Sequence, residues 1–332
     1  MSLTLKETSP AEHVNGLGAL VNSALADLAR SRQPAELYDP VRYVLEGGGK
    51  RFRPILLLLA AECFGVKHEQ SLPAALAVEV FHNFTLVHDD IMDHAIERRA
   101  RPTVHVKWDE STAILAGDFL MALSYDLLAR LRTDRLPELL HVYYEMVAHL
   151  CEGQALDKAF EERSSVSVDA YLDMIDRKTG ALLRACLQMG GILGDASAAE
   201  QDALRALGTN LGRAFQVQDD LLDLTADDDR WGKAIGGDLA EAKKTFLLLS
   251  ALESAEGEDR AWFARIVDRH GLEPERVEEA RARMERLGVL ERARGAVVSY
   301  SDAALACTHA LPGAAARASL QWLIRRMQER LH

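Results

Sequence analysis

The chain has 332 residues, 48% hydrophobic and 27% charged, which is ample for a large buried core; its 4 cysteines are too few for a disulfide-stapled scaffold. With 51 acidic against 39 basic residues the formal charge is −12, and no Lys/Arg block stands out. That balance argues against a general nucleic-acid binder, because phosphate backbones demand a basic face. Cys63, Cys151, Cys186 and Cys307 form no CxxC pair, so neither a structural zinc site nor a redox motif is indicated and a reducing compartment is the simplest reading. The longest uninterrupted apolar run, Ile55–Ala61, is far short of the roughly 20 residues that span a bilayer. Met1–Pro10 has no apolar core behind a basic region. The expectation is a cytoplasmic protein without a transmembrane segment.

The predicted elements are helical from the start. Leu17, Leu20, Val21, Ala24, Leu25 and Leu28 recur at helical spacing as one apolar stripe. A second helix is expected to begin at Asp39-Pro40, a side-chain cap followed by proline at the first helical position, and to close at Gly47-Gly48-Gly49. Helical patterns then recur at about 53–64, 72–94, 111–132, 136–158, 168–193, 199–225 and 241–254, and three or four more fill the C-terminal third, with Pro274 and Pro312 at turns. Alternating β-branched runs flanked by turn dipeptides are absent, so no sheet is expected. Composition does not shift and no repeat appears, which predicts one all-α domain over residues 1–332.

Two segments share one acidic pattern, DDxxD: Asp89-Asp90-Ile91-Met92-Asp93 and Asp219-Asp220-Leu221-Leu222-Asp223. Residues four apart share a helix face, so Asp89/Asp93 and Asp219/Asp223 each form a carboxylate pair one turn apart. Two charges about 6 Å apart repel by roughly 3 kcal/mol at an effective dielectric near 20, and a cation should compensate them. Either motif alone is simply a solvated acidic face; the duplicate, set in apolar helices, is not. All-oxygen ligands without His or Cys suit Mg²⁺, which takes one or two carboxylates plus phosphate oxygens.

Cations accompany these acids. Gly47-Gly48-Gly49-Lys50-Arg51-Phe52-Arg53-Pro54 sets glycines and three cations before an apolar helix, an anion site in form, although taken alone a C-cap glycine beside surface cations is the simpler reading. Arg98-Arg99 follows the first acidic pair, Lys178-Thr179 lies within a helical stretch, and Gly232-Lys233 with Lys243-Lys244 follows the second pair. His82 stands on the Asp89 face two turns earlier, and Gln216 stands three residues before Asp219. A common anionic ligand bridged by metal, best a diphosphate, fits this pairing of cations with carboxylates.

In this order the motifs resemble the trans-isoprenyl diphosphate synthases of the polyprenyl synthetase family over nearly the whole chain. The matching segments are Gly48 to Pro54, His82 to Asp93, Arg98 to His105, Lys178-Thr179-Gly180, Phe215 to Asp223, and Gly232-Lys233 through Gly236-Gly237-Asp238-Leu239. The resemblance implies an isoprenoid synthase class I fold, about ten or more helices around a central cavity, and a homodimer. It implies that Asp89, Asp93, Asp219 and Asp223 hold Mg²⁺, three ions in all, with an allylic diphosphate. It implies that Arg98 contacts the allylic diphosphate, and that Lys50, Arg53, His82 and Arg99 bind isopentenyl diphosphate. Lys178, Lys233 and Lys243 would add charge on the leaving diphosphate, and Thr179 and Gln216 would sit near the developing carbocation.

The implied activity is condensation of isopentenyl diphosphate with allylic diphosphates. In the family, side chains just before the first acidic motif form the floor that stops chain growth; here Phe81, Phe84 and Thr85 stand there, unless the rings merely pack the core. Bulky rings resemble short-chain enzymes and point to farnesyl (C15) or geranylgeranyl (C20) diphosphate. The rivals are a longer-chain polyprenyl diphosphate synthase, a class I terpene cyclase and a non-catalytic subunit of a hetero-oligomeric synthase. The last two are disfavoured by the second intact DDxxD and by the cations assigned to isopentenyl diphosphate. Ala100 and Ala242 stand where the family usually has glycine, which leaves Lys243 and Lys244 as alternatives for one role.

Overall fold

The computed structural model describes residues 9–226, 235–268 and 271–328, so the Lys233 assignment lies outside the described residues. Its contacts gather into two compact units: Met1–Tyr143, Ala185–Leu204 and Thr308–Leu323 form the first, and Tyr144–Arg184, Arg205–Cys307 and Ile324–His332 form the second. Helices dominate both.

Helix α1 (Pro10–Leu28) starts with a capping box in which Ser9 and Glu12 satisfy each other's backbone amides. The stripe read from the sequence is its buried face, with Val14, Leu17, Val21 and Leu25 enclosed. Helix α2 (Ala35–Leu45) departs from the expected start. Pro34 is its N-cap and Pro40 lies inside it, while Asp39 pairs with Arg42 at 2.8 Å instead of capping. The glycine stop is as expected, since Glu46 is the C-cap and Gly48 has φ +76°.

Helix α3 (Phe52–Cys63) is the apolar run, and its residues from Pro54 to Ala61 are all buried. Helix α4 (His68–Met92) follows, and at 25 residues it is about 37 Å long. Residues 97–107 then depart from the all-helical expectation: Glu97–Arg98 (β1) and Arg101–Pro102 (β2) pair as an antiparallel hairpin, ahead of the short α5 (Val104–Lys107). Helix α6 (Glu110–Ala129) is the one helix among the described residues long and apolar enough to cross a membrane. It packs instead along α4, α2 and α5, while Ile114 and Leu115 stay exposed.

Helix α7 (Leu136–Glu162) leads to α8 (Val168–Ile175), a π-helical turn (Asp176–Gly180) and α9 (Ala181–Leu193). The second acidic motif lies in α10 (Ala198–Thr225). After the short α11 (Gly237–Ala240), the stretch expected as helix 241–254 is helical only from Phe246 (α12, Phe246–Ser254); residues 241–245 turn between the two helices, with Ala242 at φ +53°. Helices α13 (Gly257–Asp268), α14 (Val277–Arg286), α15 (Val289–Cys307) and α16 (Ala314–Gln328) complete the chain. In the second unit Leu248, Phe263, Met284 and Val289 are fully enclosed in a core built on α12 to α15.

In the first unit α9 crosses α3 at Gly190, where a Cβ would stand 2.7 Å from the Leu57 carbonyl oxygen and 2.8 Å from the Ala61 nitrogen. Both neighbours are backbone and cannot rotate away. Gly190→Ala is therefore expected to destabilise the fold by about 1–3 kcal/mol, seen as a lower midpoint in chemical denaturation.

Candidate active site

The constellation in the first unit starts from Arg51. Its backbone is left-handed at φ +49° and its side chain is buried. The guanidinium donates to Glu79 at 2.7 Å, to Asn22 at 2.8 Å and to the Leu45 carbonyl at 2.8 Å. Arg51 is thus an anchor, and it fixes the turn between exposed Lys50 and half-buried Arg53. Arg53 Nη1 lies 3.2 Å from His82 Nε2. Burial, and then the Arg53, Arg99, Arg98 and Arg51 guanidiniums, hold His82 well below the usual imidazole range, so the ring is neutral and its Nε2 accepts from Arg53.

The β1–β2 hairpin carries the paired arginines. Arg98 and Arg101 pair across it, leaving Arg99-Ala100 as a two-residue loop with φ +55° and +56°. These are the dihedrals of a type I′ turn, which prefers Asn-Gly because both central residues need positive φ. The hairpin rests on Tyr43, whose hydroxyl donates to the Pro102 carbonyl at 2.8 Å and whose ring takes Arg101 and Lys107 at 3.9 Å each. From the loop, Arg99 donates to the Gly48 carbonyl. Burial and the neighbouring Arg51 lower its pKa. Cations are therefore gathered here against their mutual repulsion.

Asp90, the second residue of the first acidic motif, is buried and accepts from Arg98 Nε at 2.7 Å. Burial raises its pKa, against the pull of Arg98. Asp89 is half-buried, and Asp93, the C-cap of α4, is exposed. The amide of Asp93 still bonds the Asp89 carbonyl at 2.9 Å, so the two remain one turn apart. Upstream on α4, Phe81 is fully enclosed, with ring centroids 5.6 Å from Tyr143 and 5.3 Å from Phe84; Phe84 stands 4.6 Å from His88. Thr85 bonds back to the His82 carbonyl at 2.8 Å.

A second constellation, in the other unit, repeats this logic. Asp220 is buried, and it accepts from the Tyr171 hydroxyl at 2.5 Å, the Phe246 amide at 3.0 Å and Gln216 Nε2 at 3.1 Å. Burial pushes its carboxyl up to about 6, against those three donors. Asp219 and Asp223 are half-buried, and one Asp223 oxygen accepts the Asp238 amide at 3.1 Å. The π-helical turn presents Lys178, whose Nζ reaches Asp157 at 2.5 Å, and Thr179, which donates to Gln216 Oε1 at 3.1 Å. Local π turns often mark functional positions.

The two lysines left open by the sequence separate cleanly. Lys244 is buried and donates to the Glu161 carbonyl at 3.1 Å, closing the end of α7. Lys243 is about half-exposed and pairs with Glu241 at 2.8 Å, so it is the one presented to solvent. The donor set suits Mg²⁺ bound together with phosphate: the ligands are carboxylates, and among the described residues neither motif gathers three into a protein-only cage. Sequence reasoning missed Glu79, Asn22, Tyr43, Asp157 and Tyr171. These are partners of the motif residues, and none has a spacing of its own to betray it.

The polyprenyl synthetase family profile matches residues 34–284. A geranylgeranyl diphosphate synthase of Methanosarcina mazei is 42% identical over 244 residues, covering 73% of this chain and 75% of that protein. A geranylfarnesyl diphosphate synthase of Natronomonas pharaonis is 42% identical over 263 residues, covering 73% and 77%. The crystal structure of a geranylgeranyl pyrophosphate synthetase from Pyrococcus horikoshii aligns with a TM-score of 0.89 at 34% identity, over 97% of this chain and 98% of that one.

The two alanines in left-handed backbone should respond differently to glycine. Ala100 is exposed, so Ala100→Gly sets the relief of about 1–2 kcal/mol of left-handed strain against the roughly 0.4–1 kcal/mol cost of a more flexible unfolded chain, and is expected to stabilise by about 1 kcal/mol or less. Ala242 is 8% exposed, and the buried methyl lost in Ala242→Gly, worth about 0.8 kcal/mol, cancels most of the gain. Urea unfolding of both variants checks the contrast.

Proposed function

The chain belongs to the polyprenyl synthetase family and is a trans-prenyltransferase of the isoprenyl diphosphate synthase type; we propose that it condenses isopentenyl diphosphate with allylic diphosphates to a short-chain farnesyl or geranylgeranyl diphosphate. The observation that carries this reading is the gathering of Arg53, Arg98 and Arg99 about the neutral His82 ring, with Arg99 reaching the Gly48 carbonyl; repulsion among the guanidiniums is relieved by an anion such as a diphosphate.

Lys50, Arg53, His82 and Arg99 bind the diphosphate of isopentenyl diphosphate. Arg98, oriented through Nε by Asp90, contacts the allylic diphosphate with its Nη groups. Asp89 with Asp93, and Asp219 with Asp223, would hold Mg²⁺, in a set of three ions, which would supply positive charge against the leaving diphosphate. Lys178, Lys233 and Lys243 add charge to the same oxygens, and the allylic C–O bond breaks to give a carbocation.

Thr179 and Gln216 face that cation. The hydroxyl proton of Thr179 is directed to Gln216, and the amide proton of Gln216 to Asp220, so the negative ends of both dipoles point away from the buried carboxylate. The double bond of isopentenyl diphosphate attacks, the new C–C bond forms, and the proton is lost to the released diphosphate. Exposed Ile114 and Leu115 on α6 support a homodimer, since a second copy would cover them.

The test is a condensation assay with labelled isopentenyl diphosphate and dimethylallyl, geranyl or farnesyl primers, with and without Mg²⁺. Asp89→Ala and Asp219→Ala are each expected to lower kcat by roughly 10²–10³-fold or more while helical circular dichroism is unchanged. Turnover like the parent enzyme in either variant would refute the metal assignment.

Product length is read in the same assay. Phe84 is half-buried, so Phe84→Ala is expected to lengthen the product with modest loss of stability. Phe81 is fully enclosed, and Phe81→Ala should cost about 3–5 kcal/mol, so Phe81→Leu is the usable variant there. Unchanged product length in both Phe84→Ala and Phe81→Leu would remove these rings, and Thr85 with them, from the cavity floor.

A further inference from the structure

Three side chains outside the acidic motifs converge in the first unit. His13 comes from α1, Glu62 from the last turn of α3 and His68 from the start of α4. Both imidazole Nε2 atoms lie 3.1 Å from the same Glu62 Oε2, and the three ligand atoms are within 4.8 Å of one another. Their side chains are 22%, 28% and 32% exposed, so the cluster is partly shielded from solvent and still reachable from it. His68 and Asp89 are 21 residues apart on one helix, about 32 Å along its axis, which puts the cluster well away from the first acidic motif.

The hydrogen-bond inventory around His13 gives the second observation. His13 Nδ1 lies 3.0 Å from Ser319 Oγ, and Ser319 in turn donates to the Ala315 carbonyl at 3.3 Å. A serine hydroxyl has one proton. If it goes to Ala315, Nδ1 of His13 must be the donor to Ser319, and a neutral His13 then turns the bare lone pair of Nε2 toward the Glu62 carboxylate. Two lone pairs 3.1 Å apart repel unless a cation lies between them. An imidazole held through its far nitrogen by such a relay is the usual outer shell of a metal-bound histidine.

We propose that His13, Glu62 and His68 bind a zinc-class divalent transition-metal ion that ties α1 to α3 and α4, apart from the acidic motifs. Two imidazoles and a carboxylate are the donors that zinc prefers and that Mg²⁺ does not. A tetrahedral ion with bonds of about 2.05 Å sets its ligands about 3.3 Å apart, so the two imidazole–carboxylate distances of 3.1 Å need to open by only a few tenths of an ångström, while the two imidazole nitrogens, within 4.8 Å of each other, adjust to the same spacing. Water fills the fourth position.

The experiment uses the full chain, stripped with chelator and kept in excess Mg²⁺ without any diphosphate. Co²⁺ is titrated first, then Zn²⁺. One equivalent of Co²⁺ should produce visible d–d bands that Zn²⁺ abolishes, and Zn²⁺ should raise Tm by several degrees. His68→Gln and Glu62→Gln should each weaken Co²⁺ binding by about 100-fold, and Ser319→Ala by about 10-fold. His68→Gln should leave Mg²⁺-dependent condensation intact. Absence of one-equivalent binding, or binding unchanged in both His68→Gln and Glu62→Gln, overturns the proposal and leaves the cluster as an imidazolium–carboxylate pair. Loss of the Co²⁺ bands in the Asp89→Ala/Asp219→Ala double variant also overturns it, because the ion would then belong to the acidic motifs.

Discussion

Arg51 and Glu79 are each 3% exposed and meet at 2.7 Å, and the cationic half of the site depends on that enclosed pair. A buried ion pair is weak evidence for stability, since the desolvation of both charges offsets most of their attraction. What it provides is position. With Asn22 and the Leu45 carbonyl also satisfied, the guanidinium holds the last turn of α2 against the first of α3. The chain between them takes left-handed φ at Gly48 and Arg51. Lys50 and Arg53 flank this anchor, so the directions of both follow from it. Removing either partner would strand a charge in the core, a cost of about 3–5 kcal/mol, and would release the turn that sets the cations.

The two acidic motifs solve one problem in one way. Three aspartates within five residues repel each other, and a helix cannot put all three on one face. The second aspartate of each motif lies about 100° around the helix from the first, and in both cases it turns inward to donors of the protein: Arg98 for Asp90, and Tyr171, Gln216 and the Phe246 amide for Asp220. The first and fifth positions stand one turn apart on a different face of the helix. The inward aspartates act as orienting groups, one for an arginine and one for the Thr179–Gln216 dipoles.

Much of this was readable from residue spacing. The α1 stripe, the apolar α3, the long α4 and α10, and the division of each DDxxD into a pair and an odd member all follow from a period of 3.6. The misreadings share a cause: local signals were overridden by partners that no spacing announces. Asp39-Pro40 has the form of a helix start, yet α2 begins five residues earlier and Asp39 pairs with Arg42. The β1–β2 hairpin was invisible because Arg99-Ala100 fills a turn that normally announces itself with Asn-Gly. The lysine pair could be sorted only once the Glu161 carbonyl was found beside Lys244. Nothing in its spacing marks Glu79, and only the fold sets Arg51 against it.

Left-handed backbone at residues other than glycine is costly, and its distribution is informative. It occurs at Ser31, Arg51, His94, Arg99, Ala100, Asp195 and Ala242 among the described residues. Five of those seven adjoin the motifs: Arg51 between the cations, His94 directly after Asp93, Arg99-Ala100 in the hairpin loop and Ala242 before Lys243. Each position costs of order 1 kcal/mol or more and persists only because its surroundings over-determine it. At Arg51 the surroundings are the Glu79 and Asn22 bonds; at Arg99-Ala100 they are the hairpin pairing and its seat on Tyr43. Strain of this kind sets charges before a ligand arrives, so that less reorganisation remains when a diphosphate has to be held and then released. The repulsion among the cations acts to the same end, because it favours whichever bound species carries the most negative charge.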